Sequence, residues 1–322
     1  MKFSTQTLMA EAEASGFRSE ILEKVVRLLE LLNTLQRHPA LKKKLALKGG
    51  TALNLFIFRV PRLSVDIDLN YIGAQSLQEM KAERPKIEQA VRAVCEREEF
   101  HIEHEPHKHQ HAGGKWTLRY ESVLGQGGTL EVDINFMFRV PLWPIVLMDS
   151  QPLGKWQAIQ IPVVDIHELA AGKLAALLAR RKARDLFDSY HILRMDDLVP
   201  EKLRLAFVVY GAMNNKDWRT VSTDDVDFDA KELKSQLIPT LRAQERKNIE
   251  GYGAKLVEAC QEALSVVLPL NAAEQAFLDR LLNTGHIDPS ILTDDEALQE
   301  RIQQHPSIKW KAINVRKHNG LS

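Results

Sequence analysis

Two adjacent glycines, Gly49 and Gly50, follow the apolar run Leu45-Ala46-Leu47 after a single lysine and lead into Thr51-Ala52-Leu53. Glycine lets a backbone bend sharply and approach a ligand with no Cβ in the way. A helix beginning near Thr51 would point its unpaired N–H groups and its dipole at that spot, an arrangement that suits phosphate. An ordinary strand-to-helix turn has the same composition, so the glycines do not decide the matter. The segment Arg62-Leu63-Ser64-Val65-Asp66-Ile67-Asp68-Leu69 adds the second half of a site. Residues i and i+2 of a strand share one side, so Asp66 and Asp68 converge while Leu63, Val65, Ile67 and Leu69 form the opposite, apolar set. Paired carboxylates suit Mg²⁺, which binds one or two carboxylates together with substrate phosphates. The chemistry implied is the handling of a nucleoside triphosphate and its metal ions.

A third acid, Asp133, lies in Leu130-Glu131-Val132-Asp133-Ile134-Asn135. A neighbouring strand would bring it beside the first pair and complete a three-carboxylate, two-metal site. Glu131 and Asn135 share its parity, so Asp133 stands open between metal ligand, base and plain strand residue. Other polar clusters point elsewhere. His101, His104, His107, His109 and His111 have no accompanying cysteine and no closed-site spacing, which suggests a polar loop or strand edge. Asp225-Val226-Asp227-Phe228-Asp229 imitates a calcium loop, but Ala230 stands where glycine is needed and Gln236 where the bidentate Glu belongs. Asp165-Ile166-His167-Glu168 reads as a capping box.

The elements that must carry these residues can be read from periodicity. Apolar positions Ile21, Val25, Leu28, Leu29, Leu32 and Leu35 place an amphipathic helix over about 19–38. A short strand over 45–47 ends at the glycines, a helix runs over 51–58, and a strand over 65–72. A helix over 77–97 should break near Pro85. Strand patterns over 116–122 and 129–140 flank Gly125-Gln126-Gly127-Gly128, so a hairpin is expected. Pro141, Pro144, Pro152 and Pro162 then punctuate a connection, and beyond Asp165 the chain reads as helix. The expected fold class is α+β: a mixed sheet flanked by helices over 1–160, then a helical domain over 161–322.

Composition narrows the class. The 43 basic and 43 acidic residues cancel, so no global pull toward nucleic acid or membrane is expected. Cys95 and Cys260 are the two cysteines, which excludes a disulfide scaffold and fits a reducing cytoplasm. No stretch approaches the ~20 apolar residues of a membrane helix, and the first residues lack a signal-peptide core.

Gly49-Gly50-Thr51-Ala52-Leu53 followed by Arg62-x-Ser64-x-Asp66-Ile67-Asp68-Leu69 resembles the first motif of the DNA polymerase β-like nucleotidyltransferases. The wording is closest to the AbiEii/AbiGii toxin family of type IV toxin–antitoxin and abortive-infection systems. His167-Glu168-Leu169-Ala170-Ala171-Gly172-Lys173 and Arg181-Lys182-Ala183-Arg184-Asp185-Leu186-Phe187-Asp188 resemble that family's third and fourth motifs, and the run from His305 to Ala312 has its ending. The resemblance implies a nucleotidyltransferase core with a helical domain closing a cleft over it, and a toxin that moves a nucleoside monophosphate from an NTP to an acceptor, the 3′ end of tRNA. It implies Asp66, Asp68, Asp133, Lys173 and Asp185 as catalytic, and Gly49, Gly50, Thr51, Lys173 and Arg184 at the nucleotide. Two Mg²⁺ ions would sit on Asp66, Asp68 and Asp133, with Asp188 supporting the site. A cognate antitoxin encoded nearby would restrain a cytoplasmic enzyme. Arg180, Arg181, Lys182 and Arg184 fit either nucleic-acid contact or a solvated helix end. Transfer of a nucleotide or phosphoryl group to a protein hydroxyl uses the same residues, and a non-catalytic nucleotide-binding regulator is the reading from a different class.

Overall fold

A computed structural model describes residues 3–106, 112–247 and 249–320. His107, His109 and His111 lie outside the described residues. The chain divides into two compact units, one comprising 1–139, 145–164 and 238–249, the other 140–144, 165–237 and 250–322.

The first unit opens with α1 (Thr5–Ser15) and α2 (Ser19–Arg37). There follow β1 (Leu45–Lys48), α3 (Gly49–Ala52), β2 (Asp66–Tyr71), α4 (Leu77–Arg97), β3 (His101–His104), β4 (Gly113–Tyr120), β5 (Gly128–Asn135), β6 (Val146–Met148) and β7 (Ile161–Val163). The strands form one seven-stranded mixed sheet in the order β3-β4-β5-β2-β1-β7-β6. β2 runs parallel to β5 and β1 parallel to β7, and the other pairs are antiparallel. Alternation along the strands separates two kinds of cross-strand row. Ile67, Val132 and Trp116 are register partners and fully buried, as are Leu69 and Ile134. α2 lays Leu22, Val25, Leu28, Leu29 and Leu32 into the core and contacts β5, β7 and α4. A rigid, apolar-backed sheet therefore carries whatever alternates with those rows.

The expected hairpin is present as β4 and β5, and β3 places His101 and His104 on the outermost strand. Three local expectations change. The helix expected over 51–58 starts at Gly49 and passes after Ala52 into a π turn over Leu53–Ile57, where Phe58 N–H donates to the Leu53 carbonyl. Asn54 Nδ2 donates to the Gly50 carbonyl at 2.9 Å, taking an acceptor from the regular ladder and widening the turn. α4 runs straight through Pro85, because Met80, Ile87, Val91 and Val94 bury one face on either side and offset the ~3 kcal/mol a mid-helix proline costs. The proline-rich connection contains β6 and β7, each three residues long, with Pro162 inside β7.

Residues 238–249 return to the first unit and brace the approach to β2. Leu63 N–H donates to the Thr240 carbonyl at 2.9 Å, and Arg62 bridges to Leu241.

The second unit contains α5 (Ile166–Ala179), α6 (Ala183–Ile192), α7 (Pro200–Ala212), the single turn α8 (Ala230–Glu232), α9 (Tyr252–Ala263), α10 (Ala272–Thr284), α11 (Glu296–Gln304) and α12 (Pro306–His318). Its helical character is as expected. α5 is buried along Leu169, Ala170, Leu174, Leu177 and Leu178 and packs on α6 and α7. The His305 ring caps α12 by accepting from Ser307 N–H, and Pro306 occupies the first helical position, where its missing N–H does no harm.

Candidate active site

Register decides which polar side chains meet. Lys48 pairs with Asp68, Asp68 with Asp133, and Asp133 with Lys115, so one straight row crosses β1, β2, β5 and β4. The adjacent row on the same face runs Asp66, Glu131, Thr117. Register partners point to the same side of a sheet, as do residues two apart along a strand. Asp66, Asp68, Glu131 and Asp133 therefore share one face, while Ile67, Leu69, Val132 and Ile134 are buried behind them. Asp66, Asp68 and Asp133 are half-buried. Asn135, the third residue of that parity, is taken by the chain reversal after β5: its Oδ1 accepts from Met137 and Phe138 N–H at 2.7 and 3.1 Å.

The glycine turn lies directly against this face. Gly49 has φ +72°, the left-handed region, and a Cβ added there would come within 2.4 Å of Asp68 Oδ2 and 3.1 Å of Asp68 Cβ. Only glycine lets the backbone approach the carboxylate so closely. Thr51 is fully buried. Its hydroxyl donates to the Asp66 carbonyl and shares a 3.0 Å hydrogen bond with the Ser64 hydroxyl, tying the turn to the start of β2. This side chain thus positions the turn, and Ser64, which the motif carries between Arg62 and Asp66, is its partner.

Lys115 was not among the sequence candidates. Its Nζ bonds Glu131 Oε2 at 2.7 Å, and that bond, followed by the fields of Glu131, Asp66 and Asp133, raises its pKa despite some desolvation. Alternation alone could have found it, since Lys115, Thr117 and Arg119 are the polar set of a strand whose other set is Trp116, Leu118 and Tyr120. What the sequence lacked was the β4–β5 register. Lys48, at the other end of the row, places its ammonium 5.4 Å from the centre of the Phe138 ring.

The donor set of this face consists of hard carboxylate oxygens beside a bare glycine backbone, which fits a divalent cation and a phosphate. The side chains as they stand do not close into a ready cage: among the described residues no three His, Cys, Asp or Glu groups are gathered closely enough to hold a metal ion. A separate open cavity of about 1050 Å³ is lined by Arg27, Glu99, His101, Arg119 and Tyr120, and none of the four clustered acids reaches it.

Lys173, Asp185 and Asp188 form a tight group in the second unit. Lys173 Nζ lies 2.8 Å from Asp185 Oδ1 and 3.0 Å from Asp188 Oδ2, and Arg180 Nε lies 2.6 Å from Asp185 Oδ2. The side chains of Lys173, Asp185 and Asp188 are 11, 4 and 0 % exposed. Burial pushes the Asp185 carboxyl up, but Lys173 and Arg180 together outweigh it and hold the group below the usual carboxylate range. Arg181 pairs with Asp227 at 3.1 Å and Arg184 with Glu232 at 3.7 Å. Three of the four clustered cations thus face carboxylates of their own chain.

Glu168 differs from its capping-box reading. Asp165 caps α5 by accepting from His167 N–H at 2.9 Å, but Glu168 turns inward, accepting from Trp143 N–H at 3.1 Å and from the Tyr210 hydroxyl at 3.0 Å. Burial pushes its carboxyl up to about 7 against the opposing pull of those donors.

A sequence model of the family described as "Nucleotidyl transferase AbiEii toxin, Type IV TA system" matches residues 31–279. Curated proteins give no significant match. Among solved structures, MenT4, a nucleotidyltransferase toxin from Mycobacterium tuberculosis H37Rv, is similar over 95 % of this chain and 99 % of its own, with a TM-score of 0.57 and 17 % identity. At that identity the likeness speaks for the fold.

Proposed function

From the premise that this chain belongs to the AbiEii family of nucleotidyltransferase toxins, we propose that it transfers a nucleoside monophosphate from an NTP, with Mg²⁺, to the 3′ end of tRNA. The observation that carries the reading is Gly49: its bare backbone lies against the Asp68 carboxylate, which register places beside Asp133. Asp66 and Asp68 would hold Mg²⁺, which when bound supplies Lewis-acid stabilisation of phosphate oxygen charge. Gly49 and Gly50 leave room for the triphosphate, and Thr51 fixes their turn. Asp133 would stand beside the acceptor hydroxyl as a further ligand or as the base that takes its proton. The new bond joins the acceptor oxygen to the α-phosphorus, and the bond to pyrophosphate breaks. Lys173, Asp185 and Arg184 are proposed to serve the same reaction on the strength of their motif positions. The tRNA acceptor, growth arrest, a cytoplasmic setting and a cognate antitoxin rest on the family as well.

Incubation of the purified protein with each α-labelled NTP, Mg²⁺ and either total RNA or cell lysate tests the proposal. Label is expected in RNA of tRNA size with at least one NTP, and is expected to vanish in Asp66→Asn and Asp68→Asn proteins that retain wild-type circular dichroism. Label confined to protein bands would overturn the acceptor. No labelling with any NTP would overturn the reaction.

A further inference from the structure

The acidic face is not purely acidic. Its two rows hold four carboxylates, Asp66, Asp68, Glu131 and Asp133, and two lysines, Lys48 and Lys115, in direct register with the acids. The formal charge of the face is therefore −2, the charge that a single divalent cation neutralises. The two lysines are held differently. Lys48 lies over the Phe138 ring, whereas Lys115 is the direct partner of Asp133 and reaches diagonally along the sheet to Glu131 at 2.7 Å. Both members of that pair are part-exposed, 53 and 39 %, so a salt bridge here adds little to stability. Its placement next to Asp133 changes the local charge instead. A divalent ion settling between Asp68 and Asp133 would meet one ammonium across β5 and another across β1, and each resists a second metal ion on the same acids.

We propose that Lys115 is the built-in second cation of this site, so that the Asp66–Asp68–Asp133 face takes up one divalent ion in place of two. This deepens the reading above and rests on it. Lys115 acts here as a positioning residue: it neutralises Asp133 and Glu131 from the β4 side and leaves Asp66 and Asp68, beside the glycine turn, as the pair with charge to offer a metal. A fixed ammonium also keeps four neighbouring carboxylates from repelling one another before any ion arrives.

The test counts bound metal in the full-length protein, with Mn²⁺ as the probe, free ion being read by electron paramagnetic resonance and binding heat by calorimetry. Wild type should bind one Mn²⁺ in the tight class. Lys115→Met should bind a second, or bind the first at least about fivefold tighter, since removing a unit charge roughly one strand spacing away matters on this scale even in a water-like dielectric. Lys115→Arg keeps the charge and should restore single occupancy. Asp68→Asn should abolish tight binding in either background. Two equal Mn²⁺ sites in wild type, or a Lys115→Met titration identical to wild type, would overturn the role of Lys115. Tight binding that survives Asp68→Asn would instead sink the assignment of the metal to this face. Equal thermal midpoints of the variants show that the titrations compare folded proteins.

Discussion

Substitution of Gly49 by alanine tests the geometry on which the site depends. Two effects act together and can be separated. An L residue at φ +72° carries left-handed strain of about 1–2 kcal/mol. The new Cβ also arrives 2.4 Å from Asp68 Oδ2 and 3.1 Å from Asp68 Cβ. Rotating the carboxylate relieves the first contact, at roughly 0.5–1.5 kcal/mol for a side chain forced off its rotamer. Rotation leaves Cβ where it is, so the turn itself must withdraw by a few tenths of an ångström. Gly49→Ala should therefore lose about 2–3 kcal/mol of stability and, because an error near 1 Å in a catalytic group costs on the order of 100-fold, nearly all transfer. Gly125→Ala is the matched control. It has φ +87° and open space around the added carbon, so it carries the strain without the collision. Urea unfolding and the labelling assay on both proteins decide the matter. The reasoning fails if Gly49→Ala transfers at the wild-type rate, or if Gly125→Ala loses activity equally.

Two other perturbations probe the second unit. Lys173→Met leaves Asp185 and Asp188 buried without their ammonium and should destabilise by about 3–5 kcal/mol in urea, toward the low end because Arg180 still pairs with Asp185; Asp188→Asn in the same protein should recover part of the loss. Glu168 has a folded pKa of about 7 against an ordinary 4.5, so the folded chain holds a proton that the unfolded chain has released between those values. Stability should accordingly fall as pH rises from about 4.5 to 7, by on the order of 3 kcal/mol, and level off above. Glu168→Gln should flatten that slope in unfolding curves measured across the window, and an unchanged slope would remove Glu168 as its source.

Much of the candidate site was legible because it is written in local pattern. Two aspartates at i and i+2, flanked by alternating Val and Ile, specify a strand and a shared face without tertiary information, and Gly49-Gly50 after Leu45-Ala46-Leu47 marks the turn. Thr51 was read as a phosphate contact because hydroxyls beside glycines often are; that its hydroxyl turns back to Ser64 and the Asp66 carbonyl depends on how the π turn seats against β2. Lys115 and Glu131 escaped because cross-strand partners are set by register, and parity within one strand does not say which neighbour faces it. β6 and β7 escaped because three residues, one of them Pro162, carry no period.

The two clusters of charge obey different physics, and this bears on how each can work. Lys173, Asp185 and Asp188 are nearly dry, with their oxygens and ammonium at hydrogen-bond distance, so their charges interact strongly and any uncompensated change is costly. The Lys115–Glu131 pair is part-solvated and spread over neighbouring strands, where interactions are individually weak and readily exchanged for a stronger ligand. A face that must take up and release a charged substrate in each turnover needs the second kind of environment. A lysine already neutralised by two buried carboxylates can donate to a phosphate only by giving up part of that pairing. Loss of transfer in a Lys173 variant is therefore informative only alongside its stability, whereas at Lys115 the weak, exposed pairing lets metal affinity and folding be measured apart.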